Sequence, residues 1–197
     1  MINREKALEI LQQNMQNQNL RRHCYAVEAV MRALARYFNK GEKSSFAKAS
    51  EDKWGLVGLV HDADYEKTKE NPEKHTLLAI EWLKNAGETD SEIVSAILSH
   101  NFEHTGKNEP KNNLEWSLYC CDELTGFIVA VALVMPDKKL SSVSVESVVK
   151  KFPQKAFAAG VKREQIKMCE EKLGIPIDEF IKISLEAMKQ ISGELGL

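Results

Sequence analysis

Along nearly the whole chain, apolar residues recur at spacings of three and four, and no stretch alternates apolar and polar residues as a half-buried strand would. That periodicity makes an all-α fold the expectation. Residues 20–38 carry it most clearly, with Leu20, Cys24, Val27, Met31, Leu34 and Phe38 on one stripe. It also frames helices near 3–17, 53–63, 91–100, 142–151, 162–172 and 177–194. Residues 71–87 read as another helix, with Asn71 as N-cap, Pro72 at the first position and Gly87 past the end. A long helix runs from Asn113 to Met135 and stops at Pro136. The polar stretch 39–52 reads as a loop.

Within that pattern one segment is anomalous. "GLVGLVHDADYEKT", residues 55–68, runs apolar residues and two glycines straight into His61-Asp62. Burying an unpaired polar side chain costs a few kcal/mol, and an unpaired carboxylate costs more. The other histidines repeat the problem. His23 lies on the stripe between Leu20 and Val27; His75 precedes Leu78, Ala79 and Trp82; His100 follows Ile93, Ala96 and Ile97; Asp122 follows Leu118 by four. Each alone reads as a hydrogen-bonded core residue. Six together, His23, His61, Asp62, His75, His100 and Asp122, would each need a separate partner in a small helical chain. One metal centre satisfies all of them, and neutral imidazole with carboxylate suits Fe, Mn, Zn, Ni or Co. The fifth histidine, His104, sits in "NFEHTGKNEP" and reads as a solvated loop residue.

Composition narrows the partners. Lys+Arg of 27 against Asp+Glu of 29 gives a formal net charge of −2, with no general pull toward nucleic acid or anionic membrane. The greasiest run, "FIVAVALVM", is shorter than the ~20 residues a bilayer span needs and reads as a core helix. The N-terminus is too polar for a signal peptide. Cys24, Cys120, Cys121 and Cys169 lack CxxC spacing, so they read as buried thiols of a cytoplasmic protein.

The order His23, His61-Asp62, Asp122, each on a separate helix, resembles the HD superfamily of metal-dependent hydrolases over roughly residues 20–125. "WGLVGLVHDADYE", "DELTGFIVAVALVMP" and "FAAGVKRE" extend the resemblance, toward a bacterial subgroup of HD hydrolases, over nearly the whole chain. The resemblance implies an HD-type helical bundle with a metal-binding core at 1–136 and a C-terminal helical extension at 137–197 packed on it. It implies His23, His61, Asp62 and Asp122 as ligands of one divalent ion. It implies His75 and His100 as ligands of a second, with Asp62 bridging; Mg joins the candidate metals.

The activity implied is hydrolysis of a small phosphorylated metabolite or nucleotide by metal-activated water. An HD-fold di-iron oxygenase, using the same ligand order, is the alternative, and a binding module with a degraded site is a third. No nucleic acid polymer or membrane partner is expected, and a homodimer is left open. Many HD phosphohydrolases have His-Asp-x-x-Lys; here that place is Tyr65, with Lys67 two residues on. Lys67 is therefore a candidate for the phosphate contact. So is the cationic segment "KKFPQKAFAAGVKRE", above all Lys151 and Arg163. Asp64 and Glu66 are candidates to accept the water's proton, against supporting or solvent-facing roles.

Overall fold

The computed structural model describes residues 1–40 and 45–197, and among them there are helices and turns but no strands. The helices are α1 (Arg4–Asn14), α2 (Gln18–Phe38), α3 (Ser45–Val60), α4 (Tyr65–Thr68), α5 (Leu77–Asn85), α6 (Ser91–His100), α7 (Phe102–Thr105), α8 (Asn113–Leu133), α9 (Val145–Lys151), α10 (Arg163–Leu173), α11 (Ile177–Gln190) and α12 (Ser192–Leu195). Helices α2 and α8 are the axis. On α2 pack α3, α8, α11 and α12; on α8 pack α6 and α10. The segment after Pro136 thus returns to cover both central helices rather than standing apart.

Helices α2 and α3 approach closely because α3 carries Gly58 where they meet. A Cβ there would lie 2.9 Å from the backbone of Glu28, so no side chain fits. This brings the end of α3, and with it His61-Asp62, onto α2 beside His23. Helix α8 is long and apolar enough to cross a membrane by composition, but two-thirds of its most apolar window is buried in the bundle. Its buried faces, among them Leu118, Leu124, Phe127, Ile128 and Val131, form the centre of the core.

Two expectations need correction. Residues 39–52 are not a loop throughout. Helix α3 begins at Ser45, and its first turns are tied to α2 by Arg36–Glu51 and Arg32–Asp52 ion pairs, while Lys48 pairs with Asp52 one turn on; 41–44 lie outside the described residues. Nor is 71–87 one helix. Pro72–Lys74 is a single 3₁₀ turn, and α5 starts only at Leu77, because Thr76 adopts φ +76° in the left-handed region. The reason for that break lies in the site.

Candidate metal centre

The six groups named from the sequence meet at one place: His23, Asp62, His75, His100 and Asp122 line a cavity of about 400 Å³, and fully buried His61 stands beside them. His23 comes from α2, His61 and Asp62 from the turn just past α3, His75 from the segment before α5, His100 from the last residue of α6 and Asp122 from α8. Their ligand atoms fall into two sets. On one side, His23 Nε2 lies 2.7 Å from Asp122 Oδ1 and 3.8 Å from Asp62 Oδ2. His61 Nε2 lies 3.4 Å from Asp122 Oδ1 and 3.7 Å from Asp62 Oδ2. On the other side, His75 Nε2 and His100 Nε2 lie 3.1 Å and 3.3 Å from Asp62 Oδ1. Asp62 offers one oxygen to each set. Ligand atoms around an ion with ~2.1 Å bonds are about 3 Å apart along an octahedral edge, so these separations suit shared coordination.

The surrounding hydrogen bonds turn lone pairs inward. His61 Nδ1 lies 2.8 Å from the Gly58 carbonyl oxygen, which can only accept, so the proton sits on Nδ1. His61 Nε2 then carries a lone pair, fully buried and without a hydrogen-bond partner. His75 Nδ1 donates likewise to Asp64 Oδ1 at 2.8 Å. The Thr125 hydroxyl gives its proton to the Asp122 carbonyl and so accepts from His23 Nδ1. Three imidazoles therefore turn Nε2 into the cluster, His23 and His61 on one side of Asp62 and His75 on the other, the arrangement that outer-shell partners impose on metal-ligating histidines. His100 Nδ1 is buried with no such partner. The residues fit a metal: among the described residues, His61 Nε2 and His100 Nδ1 have no hydrogen-bond partner.

The electrostatics agree. Burial favours neutral imidazoles, but the hydrogen bond and charge of Asp122 raise His23 to about 9. His75 is raised to about 10, where Asp62 and Asp64 outweigh burial. Burial would raise the carboxyl of Asp62, yet His61, His100 and His75 hold it well below the usual range. Burial dominates at His100, which is lowered. Two buried carboxylates thus demand positive charge at this point, as protons or as a cation.

Asp64 is placed differently from its expected role as proton acceptor. It is fully buried. Oδ1 accepts from His75 Nδ1 and the Thr76 N–H, Oδ2 from the Leu78 and Ala79 N–H groups. All four donors come from the protein, and no lone pair faces the cavity. Asp64 caps α5 from outside the helix while orienting His75, which is why the chain breaks at Thr76 instead of continuing from Pro72. Asn101 holds the same segment by donating to the Pro72 and His75 carbonyls. Glu66 is half-buried and accepts from the Gln16 and Asn17 N–H groups.

Of the expected cations, Lys67, Lys151 and Arg163 do not line the cavity. Lys67 Nζ donates to Asn14 Oδ1 and lies over the Trp82 ring. Lys151 Nζ lies over the Phe157 ring. The Arg163 guanidinium is consumed by carbonyls of Phe152, Gln154, Phe157, Ala158 and Val161 and stacks on Phe127. It is the peg of the 152–161 turn. Lys162, from the same cationic segment, does line the cavity, together with Tyr65 and His104 and with Glu103, Glu123 and Gln165, which sequence reasoning passed over. Tyr65, in the place of the family lysine, stands edge-on to His75. Lys162 is the one Lys or Arg among the described lining residues. His104 is at the rim rather than away from the site. The four cysteines are buried and unpaired, with thiols pushed up by burial.

A family model for the HD domain matches residues 20–131, more than half of the chain. Neither the curated proteins nor the solved structures yield a match. The matched span runs from the start of α2 almost to the end of α8 and contains all six clustered groups. The chain belongs to the HD domain family, a superfamily of metal-dependent hydrolases.

Proposed function

We propose that this protein is a phosphohydrolase acting on a small phosphorylated metabolite or nucleotide, with two divalent ions held by the clustered residues. The observation that carries the reading is the division of the cluster into two ligand sets joined by Asp62, at the floor of a cavity sized for a small ligand. His23, His61, Asp122 and Asp62 Oδ2 would hold one ion, and His75, His100 and Asp62 Oδ1 the other. The ions would lower the pKa of a bound water toward about 7 and neutralise charge developing on the phosphoryl oxygens. Imidazole and carboxylate favour Fe, Mn, Co, Ni or Zn over Mg.

Around them, the chain's own groups orient the substrate. Lys162 stands in the cavity wall, its side chain 40% exposed and its Nζ 3.5 Å from Glu103. A phosphoryl oxygen near that ammonium replaces a weak surface ion pair. His75 and His61 are held against rotation by Asp64 and Gly58, so the ligand atoms are in place before substrate arrives. Gln165 is fixed by donating to the Tyr119 carbonyl, which keeps that wall rigid.

The test is metal analysis of freshly purified protein followed by a panel of phosphoesters with Mn, Co and Fe. Phosphate release dependent on added metal supports the reading. Oxygen consumption by iron-loaded protein, with no phosphate released from any ester, moves the assignment to a di-iron oxygenase. His75→Ala decides the number of ions: metal per chain should fall by about half, as measured by elemental analysis. Unchanged stoichiometry makes His75 a core histidine. Lys162→Ala should raise KM about tenfold to a hundredfold, since a hydrogen bond to a charged group is worth about 1.5–3 kcal/mol and about 1.4 kcal/mol is tenfold. Metal content should not change. Lys151→Ala, outside the cavity, serves as the comparison and should leave kinetics as they are.

A further inference from the structure

A second cavity of about 390 Å³ lies on the far side of His23, between α2, α8 and the C-terminal turn. Ala26, Val129, Leu133, Leu195 and Leu197 supply its apolar wall, and Asn19, Arg22 and Thr125 are its polar lining. His23 and Gly126 line both cavities. Gly126 is in mid-α8, where glycine costs helix stability relative to alanine, yet a Cβ built on it would meet no atom within 4 Å. The missing side chain therefore leaves an opening in the wall between the chambers.

The two helices make this opening part of a groove. Along α8, Asp122 faces the metal chamber, Gly126 both chambers, and Val129 and Leu133 the second. Asp122 to Leu133 is eleven residues of helix, about 16 Å. Along α2, Leu20, His23 and Ala26 repeat the same sequence of chambers, with a small side chain at the apolar end. Leu133 is 50% exposed, so the far end of the groove opens to solvent.

We propose that the second cavity receives the apolar part of the substrate: a phosphomonoester whose leaving group carries an aliphatic chain, threaded past Gly126. The inference rests on the phosphohydrolase reading for the polar end of the ligand. Continuity selects this occupant over a protein segment. Gly126 lines both chambers with open space where a side chain would stand, and one small molecule reaching both passes there, with its head at Lys162 and its chain against Val129 and Leu133.

The test uses n-alkylphosphonates, which carry the phosphoryl head but cannot be hydrolysed, titrated calorimetrically into metal-loaded protein. From methyl to octyl, affinity should rise about fourfold per methylene that enters the cavity, from the ~0.8 kcal/mol of burying a methylene. Gly126→Leu fills the opening and should lower the octyl-to-methyl affinity ratio at least tenfold, with thermal unfolding as the check that the variant is folded. Leu133→Asp, at a half-exposed position that tolerates the change, should weaken octyl while sparing butyl. Affinity independent of chain length in the wild type overturns the proposal. So does a slope that survives in both variants, or failure of every length to bind. Because binding needs no turnover, the two readings separate: a chain-length slope without ester hydrolysis leaves the apolar site standing and removes the phosphohydrolase.

Discussion

His61→Ala and Asp62→Ala should each strip most bound metal and bring activity to background. Asp62 reaches both ligand sets, through Oδ2 to His23 and His61 and through Oδ1 to His75 and His100. Its removal leaves two imidazoles on one side, and neither set retains an anion bridging to the other. His61 Nε2 is fully buried without a partner, so its imidazole has no evident purpose in the fold except to ligate. Activity falls to background because nucleophile generation and charge neutralisation fail together. The measurement is metal per chain alongside metal-dependent phosphate release. Wild-type stoichiometry in both variants would overturn the assignment of the site. Stability should fall as well: without metal, the Asp62 carboxyl is held well below its usual range by His61, His100 and His75, so its charge stabilises the fold at neutral pH, and apo Asp62→Ala should unfold earlier than apo wild type.

Asp64→Ala is expected to be the most destabilising single change near the site. Its carboxylate takes four protein hydrogen bonds with no exposure to solvent, three from backbone N–H groups and one from His75. Each buried donor left unpaired costs about 1–3 kcal/mol, so a loss of at least about 3 kcal/mol in urea unfolding is expected. The left-handed backbone at Thr76 adds to it. A β-branched residue at φ +76° is held there by the Asp64 bond to its own N–H, and without that bond the strain has no compensation. Asp64→Asn keeps the shape and one acceptor oxygen. It should fold with a smaller penalty but leave His75 misoriented, lowering metal content toward one ion per chain while His23, His61 and Asp122 keep the other. A proton-accepting role for Asp64 predicts the opposite: normal metal content and normal stability in the Asn variant, with activity alone lost.

The periodicity of the sequence was enough for the helical class and for most helix positions, because an amphipathic stripe is a local property that packing confirms rather than creates. It was also enough to single out His23, His61, Asp62, His75, His100 and Asp122, since a polar group on an apolar face signals an unmet need wherever the face ends up. What a side chain does at an element's end was not legible. Lys162 and Arg163 are neighbours in the chain, and a step of about 100° separates a cation in the cavity from one locked into a cage of carbonyls. The break at Thr76 was hidden for the same reason: Asn71-Pro72 is a sound local start for a helix, and only the carboxylate of Asp64, brought in by another turn of the chain, offers α5 a better one. Gly58 and Gly126 look alike in the sequence, each a glycine within a helix. Tertiary contact alone decides that the first admits a neighbouring backbone and the second opens onto empty space, because what a missing side chain leaves room for depends on the helix packed opposite.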